Sequence, residues 1–348
     1  MPTNVTAEYK KAEQAFRDAH EPRQRLLCLK EMLRTIPKHK GTEHLQADIK
    51  SRIKQLSDEL AGPKKGGKRS GPSYTVRPEG AAQIALLGPP NSGKSTLHER
   101  LTGAHAEVGP YPFTTKLPLP GMLPYGDVHF QLVDLPPISD EYMEPWLPNT
   151  LRTADAAILV IDISDPACVE QAATVCDRLQ AKKVVLQQNW PGLVLGKKPP
   201  KDNANLRDGE TLDDPFAIHL PTVLIANKSD LDPGSDEVDV LEELLGVRYP
   251  ALTVSAQDGT GLGELGPLLF QGLRIARIYT RAPGKEPDDK PFTVRAGDTI
   301  ADVARLVHRD MAATLKYARV WGSGRFDGQH VGPEHPVNDG DIVELHGE

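Results

Sequence analysis

Three short stretches carry residues whose types and spacing could do chemistry. In Gly88-Pro89-Pro90-Asn91-Ser92-Gly93-Lys94-Ser95, two glycines bracket a loop that ends on a lysine and a hydroxyl. Backbone N–H groups of such a loop converge on phosphate oxygens, the lysine reaches the β- and γ-phosphates, and the hydroxyl sits on Mg²⁺. Lys94 is thus a candidate catalytic cation and Ser95 a candidate Mg²⁺ ligand, with Gly88, Asn91, Ser92, Gly93 and Thr96 around the phosphates. Asp134 directly follows the expected strand 128–133, where an acidic residue can hold the same ion. In Asn227-Lys228-Ser229-Asp230, the Asp230 carboxylate can accept both guanine N1–H and N2–H₂, a donor pair that adenine lacks. GTP or GDP is therefore expected rather than ATP. Ser255-Ala256, after Ala251-Leu252-Thr253-Val254, would bring backbone N–H to guanine O6.

The elements that must position these residues are short apolar strands alternating with helical stretches from Ala81 onward, a pattern that predicts a parallel sheet with crossover helices. Runs 84–87, 128–133, 156–161 and 221–226 are the expected strands. Ligands of open α/β sheets bind beyond the carboxyl ends of the strands, so Gly88, Asp134 and Asn227 should converge there.

Ahead of this region, Leu26, Leu29, Leu33 and Ile36 fall on one helical stripe that Pro37 closes. Leu45, Ile49, Ile53, Leu56 and Leu60 form a second stripe behind Thr42, a suitable N-cap. Each is too short for a sustained coiled coil, so an intramolecular α-helical hairpin over 1–61 is expected. The linker 62–80 is rich in Gly, Lys and Pro, and it either touches RNA phosphates or is a solvated tether.

With 348 residues, two or three domains are expected. The net charge of −7 hides an asymmetry: residues 1–80 hold 17 Lys and Arg against 10 Asp and Glu, whereas 81–290 hold 18 against 29. A polyanionic partner should touch the front end first. The three cysteines suit neither a disulfide framework nor zinc-ligand spacing. His98, His129 and His308 form no metal-ligand spacing either. No apolar run is long enough to span a membrane and no signal-peptide core opens the chain. A cytoplasmic monomer that does not engage membranes is the expectation.

Gly88 to Ser95, Tyr111-Pro112-Phe113-Thr114-Thr115, Asp134-Leu135-Pro136, Asn227 to Asp230 and Ser255-Ala256 together resemble the five guanine-nucleotide motifs of an Obg-type GTPase. The basic helices ahead and the tail behind narrow the resemblance to the developmentally regulated GTP-binding protein (DRG) family. In the tail, Ile278-Tyr279-Thr280, Pro291-Phe292-Thr293-Val294, the stretch 316–322 and Gly340-Asp341-Ile342-Val343-Glu344-Leu345 resemble a TGS domain, a small ubiquitin-like β-grasp module. The resemblance implies an α/β architecture with a GTPase domain at 81–290 and a TGS domain at 291–348. It also implies that Thr115 ligates Mg²⁺ as a second catalytic residue, that Phe113 and Thr114 belong to the nucleotide site, and that residues 183–220 form an insertion. That insertion is either a solvated loop or a partner-binding one. Trp321 and Phe326 are expected to pack in the β-grasp core, with stacking on RNA bases as the alternative.

Two departures bear on function. The family's Asp-x-Pro-Gly is here Asp134-Leu135-Pro136-Pro137, and proline has no N–H for the γ-phosphate. Ile138 takes the place where many GTPases carry a water-orienting glutamine. The resemblance and these departures together imply a slow GTPase acting as a regulatory or assembly factor on the ribosome, rRNA or a translation factor, or else a nucleotide-occupied adaptor with negligible hydrolysis that binds RNA or protein through its TGS domain and helical hairpin. Asn91 matches the position that helps hold K⁺ in potassium-activated relatives, so K⁺ joins Mg²⁺ as an expected cofactor.

Overall fold

In this computed structural model the described residues are 6–19, 22–37, 42–60, 74, 76–104, 117–193, 216–231, 246–324 and 326–347. Residues 62–73 and 75 of the expected linker 62–80, the stretch 105–116 and the insertion residues 194–215 lie outside them. The chain divides into two units, Met1–Pro72 with Asp208–Phe216, and Ser73–Arg207 with Ala217–Glu348.

The first unit holds helices α1 (Ala7–Asp18), α2 (Pro22–Thr35) and α3 (Glu43–Leu60). The expected hairpin is thus three helices among the described residues, because Pro22 opens a helix. Proline lacks the N–H that a helix interior requires, but at a first turn that donor is not needed. The Thr6 hydroxyl caps α1 by accepting from the Tyr9 amide at 3.2 Å. Tyr9, Phe16, Leu29, Met32, Ile36 and Ile49 form the core, and Phe216 joins them from the far end of the insertion. Its ring meets Phe16 edge-on at 6.0 Å, and the Arg52 guanidinium lies 4.1 Å over it.

The second unit contains two sheets. In the first, β1 (Ala82–Leu87), β3 (Val128–Asp134), β4 (Ala156–Asp162) and β6 (Ile218–Asn227) run parallel in the order β3-β1-β4-β6. At the β6 edge, β5 (Val184–Gln187) pairs its first half and β7 (Ala251–Thr253) its second. Alternate residues of β1 face opposite layers, as strand periodicity requires. Ile84 and Leu86 pack towards α4 (Lys94–Thr102) and α7 (Leu265–Gly272), and Ala85 and Leu87 towards α6 (Cys168–Gln180), with α5 (Leu147–Thr150) beside the same cluster. On the other edge β2 (Leu119–Tyr125) runs antiparallel to β3. Its Pro120 and Pro124 are tolerated because an edge strand has one side without a ladder.

The second sheet takes the order β11-β10-β12-β8-β9, with β8 (Ile275–Thr280), β9 (Phe292–Arg295), β10 (Tyr317–Trp321), β11 (Gln329–Val331) and β12 (Asp341–His346). Helices α8 (Ile300–Val307) and α9 (Arg309–Thr314) accompany it. Ile300 and Val303 of α8 pack against Ala318, Val320 and Val343. The sheet takes up β8, which lies ahead of the boundary placed at 291 from sequence. Trp321 is half-buried rather than in that core, and Phe326 is 66% exposed. Neither therefore packs as the sequence suggested. No helix among the described residues is long and apolar enough to cross a membrane.

Candidate functional site

Three parallel strands of one sheet, with β4 standing between β1 and β6, deliver the candidate residues to the side of their carboxyl ends. β1 releases the loop 88–93, β3 ends on Asp134, and β6 ends on Asn227. Leu86 is in register with Asp134 and with Ile158, and Ile158 with Val223, so β4 and β6 run four residues beyond the level of Asp134, to Asp162 and Asn227.

The loop's glycines answer to specific neighbours. A Cβ on Gly93, whose φ is +88°, would meet the Asn227 side-chain nitrogen at 2.2 Å, and one on Gly88 would meet the Val160 carbonyl oxygen at 2.3 Å. Both positions need the missing side chain. Asn91 takes a left-handed φ of 61° and exposes its side chain, while the Ser92 hydroxyl turns inward and donates to the Pro89 carbonyl at 3.0 Å.

Lys94 opens α4 and is buried inside this loop, its Nζ donating to the Pro89 carbonyl at 2.8 Å and the Gly88 carbonyl at 3.2 Å. Burial pushes its pKa down to about 8, against the opposing pull of Asp134. Phosphate oxygens would supply the counter-charge that two carbonyls cannot. The Ser95 hydroxyl donates to Asp134 Oδ2 at 2.6 Å, which brings two hard oxygen ligands together. That pair fits the oxygen-only preference of Mg²⁺. Thr96 follows on α4, half-buried.

Asn227 joins the loop to the base-reading side. Its amide nitrogen donates to the Ser92 carbonyl at 2.9 Å and its oxygen accepts from the Ala256 N–H at 3.0 Å. Ser255 is buried, and its hydroxyl accepts from the Asp258 amide at 3.2 Å. Asp230 stands exposed in a single helical turn, its carboxylate at the surface. The structure thus brings together Gly88, Asn91, Ser92, Gly93, Lys94, Ser95, Thr96, Asp134, Asn227, Lys228, Asp230, Ser255 and Ala256. Phe113, Thr114 and Thr115 lie outside the described residues.

Sequence reasoning missed Asp162. Lys228, with a left-handed φ of 67°, reaches its Oδ2 at 2.5 Å, and the Ser164 amide and hydroxyl reach its Oδ1 at 3.0 and 2.6 Å. Burial alone would raise this carboxyl, but these partners hold it below its ordinary range. The available signal was an acidic residue closing an apolar strand, the same signal that marked Asp134. His98 is fully buried on α4, with Nε2 at 3.3 Å from the Leu132 carbonyl oxygen, and burial lowers its pKa. It packs and does not face the site's opening.

The segment that follows Asp134 is tied to the loop as well. The Ile138 amide donates to the Gly88 carbonyl at 3.1 Å, and its side chain is buried with Leu135, Leu147 and Leu151. Farther on, Trp146 stacks on Tyr74 with ring centroids 4.7 Å apart.

Residues 83–190 match the family model described as 50S ribosome-binding GTPase, and residues 276–346 match that of the TGS domain. Developmentally-regulated G-protein 2 of Arabidopsis thaliana is 30% identical over 90% of this chain and 88% of its own. An uncharacterized GTP-binding protein of Methanocaldococcus jannaschii is 28% identical over 91% of this chain and 90% of its own. The solved structure of a GTP binding protein from Pyrococcus horikoshii OT3 covers 76% of this chain and 100% of itself, at 18% identity and a TM-score of 0.46.

Proposed function

The chain belongs to the developmentally regulated GTP-binding protein family, and from that premise we propose that it is a slow regulatory GTPase working at the ribosome or on a factor bound there. The observation that carries the slow rate is Ile138: the position that could orient water holds an aliphatic side chain buried in the core, its backbone tied to the phosphate loop. Pro137 adds to this by offering no N–H to a γ-phosphate. The basic excess of residues 1–80 and the description of the matching GTPase family support a ribosomal setting.

In this reading Lys94 neutralises the β- and γ-phosphates, and backbone N–H groups of the loop orient them. Ser95 and Asp134 hold Mg²⁺, together with Thr115, and the ion adds charge stabilisation at the phosphates. Asn227 fixes the loop against the base pocket, and Asp230 reads guanine. Asn91 holds K⁺ as a substitute for a missing arginine. The second reading, an adaptor that stays nucleotide-bound, is kept by Pro137 alone.

Single-turnover hydrolysis, with and without ribosomes and in K⁺ and Na⁺, tests these readings. Slow turnover that rises with ribosomes and with K⁺ is expected. Hydrolysis indistinguishable from buffer under every condition would leave the adaptor, and rapid turnover by the isolated protein would overturn the slow enzyme.

A further inference from the structure

For Asp230 to read guanine, the turn that carries it must aim the carboxylate. That turn is short: Ser229–Leu231, closed by the Leu231 amide donating to the Lys228 carbonyl at 3.1 Å. The Ser229 amide donates to the Val254 carbonyl at 3.2 Å, while Asp230 itself stands at the surface. Its direction is therefore set by the backbone at Lys228, which joins the turn to Asn227. Lys228 has a left-handed φ of 67°, a conformation that costs free energy for a residue with a Cβ and persists where the surroundings hold it.

The side chain of Lys228 is held at its far end. β4 and β6 pair as far as Asp162 and Asn227, and past that pair the Ile163 amide donates to the Asn227 carbonyl at 3.2 Å. Lys228 thus leaves its strand beside the end of β4, where its ammonium meets Asp162 Oδ2 at 2.5 Å. The other oxygen, Oδ1, accepts from the amide and hydroxyl of Ser164, so the carboxylate cannot rotate without losing a partner. Packing alone would not call for an acid here: Ile158 to Ile161, the residues before it on β4, are aliphatic and fully buried. Asp162 instead borders a cavity of about 400 Å³ that Pro90 and Asn91 of the phosphate loop also line.

We propose that Asp162 is a positioning residue for base selectivity: by anchoring the Lys228 ammonium it keeps the chain in the left-handed turn that aims Asp230 at guanine. This role rests on the reading of Asn227 to Asp230 as the base-recognition motif. Two parts of the affinity are thereby separated. The phosphate loop grips any nucleoside diphosphate, whereas Asp230 discriminates between bases, so loosening Lys228 weakens guanine nucleotides and spares adenine ones. Glycine offers a second route to the same turn, because it adopts a positive φ without strain. With glycine at position 228 the anchor becomes dispensable.

The test measures the affinities of the full chain for GDP and ADP by competition against a fluorescent guanine nucleotide. Asp162→Asn should weaken GDP about tenfold, the size of a coupling between contacting residues, and leave ADP unchanged. In a Lys228→Gly background the same substitution should leave the GDP-to-ADP ratio where it was. Equal losses for GDP and ADP would show that Asp162 only supports the fold, and would overturn the proposal. An unchanged ratio, or the same narrowing in the Lys228→Gly background, would overturn it too. Should Asp162→Asn fail to fold, Ser164→Ala frees Oδ1 without removing the ion pair and should narrow the ratio in the same direction; no narrowing there overturns the proposal as well. Asp230→Ala, run alongside, tells the two readings apart. If it collapses the ratio while Asp162→Asn does not, the positioning role alone falls; if it leaves the ratio intact, base recognition lies elsewhere and both fall.

Discussion

The side-chain amide of Asn227 donates to the backbone carbonyl of Ser92 at 2.9 Å, across a separation of 135 residues. This bond ties the phosphate loop to the strand that carries the base-reading motif, and the Asn227 oxygen extends it to Ala256. Asn227→Ala leaves a buried carbonyl and a buried N–H without these partners, at about 1–3 kcal/mol for each. Nucleotide affinity should fall by at least tenfold and the nucleotide-free protein should melt earlier. Calorimetric titration with GDP and thermal denaturation check this, and an unchanged affinity would show that the bridge does not shape the loop.

How much of this was legible beforehand depended on burial. β1 and β4 are buried at every residue and β3 and β6 over most of their length, so all four read as mainly apolar runs with few polar interruptions. β2 escaped notice because Pro120 and Pro124 look like strand breakers until the strand is known to lie at an edge. β5 escaped because four residues inside a long insertion carry little periodicity. The loop, Asp134 and Asn227 to Asp230 were visible because phosphate and guanine chemistry fixes their order along the chain. The partnership of Asp162 with Lys228 was not, since the two lie 66 residues apart and only the register of β4 with β6 joins them. The outward face of β10 was hidden too: alternation shows two faces but not which one the helices cover.

Lys94 makes nucleotide binding pH-dependent. Its folded pKa of about 8 lies below the ordinary lysine value, so between about pH 8 and 10.5 the unfolded chain holds a proton that the native one has lost. This group's contribution therefore makes the nucleotide-free protein more stable as pH rises through that window. Phosphates favour the ammonium, so GDP should bind with little proton uptake near pH 7 and with up to one proton near pH 9. Titration calorimetry in buffers of different ionisation enthalpy measures this. Absence of uptake at the higher pH, or its persistence in Lys94→Met, would remove Lys94 as the group responsible.

Restoring a glutamine should not restore catalysis. In Ile138→Gln the new amide would enter a cluster formed by Leu135, Leu147 and Leu151, with the backbone still held at Gly88. A buried amide without partners costs about 1–3 kcal/mol. A lower melting temperature and no gain in single-turnover hydrolysis are expected. A faster rate would mean that the segment opens during turnover and that residue 138 then faces the phosphate.

The final prediction concerns Asp127, in the turn joining β2 to β3. It accepts from Arg277 Nη1 at 3.2 Å and from the Tyr279 hydroxyl, and Arg277 is itself held by Asp339 at 2.7 Å. The Arg277 guanidinium also lies 5.1 Å over the Phe270 ring. These contacts fasten the TGS strand β8 to the GTPase sheet. Burial opposes ionisation of Asp127, but Tyr279 and Arg277 hold its carboxyl below the ordinary range. About a third of each ion-pair side chain is exposed, so the pair stabilises by only about 1 kcal/mol. Asp134 lies at the other end of β3, about 20 Å away at ~3.3 Å per residue. Asp127→Ala should therefore leave GDP affinity unchanged while hydrogen exchange quickens in β8 and in the β2–β3 turn. Because a lowered carboxyl pKa contributes stability above the unfolded value, the same quickening should appear in the wild type as pH falls through the folded pKa of Asp127, and it should be absent from the variant. Equal exchange in the two proteins at neutral pH would show that Phe270 and Arg277 hold the strand without the carboxylate.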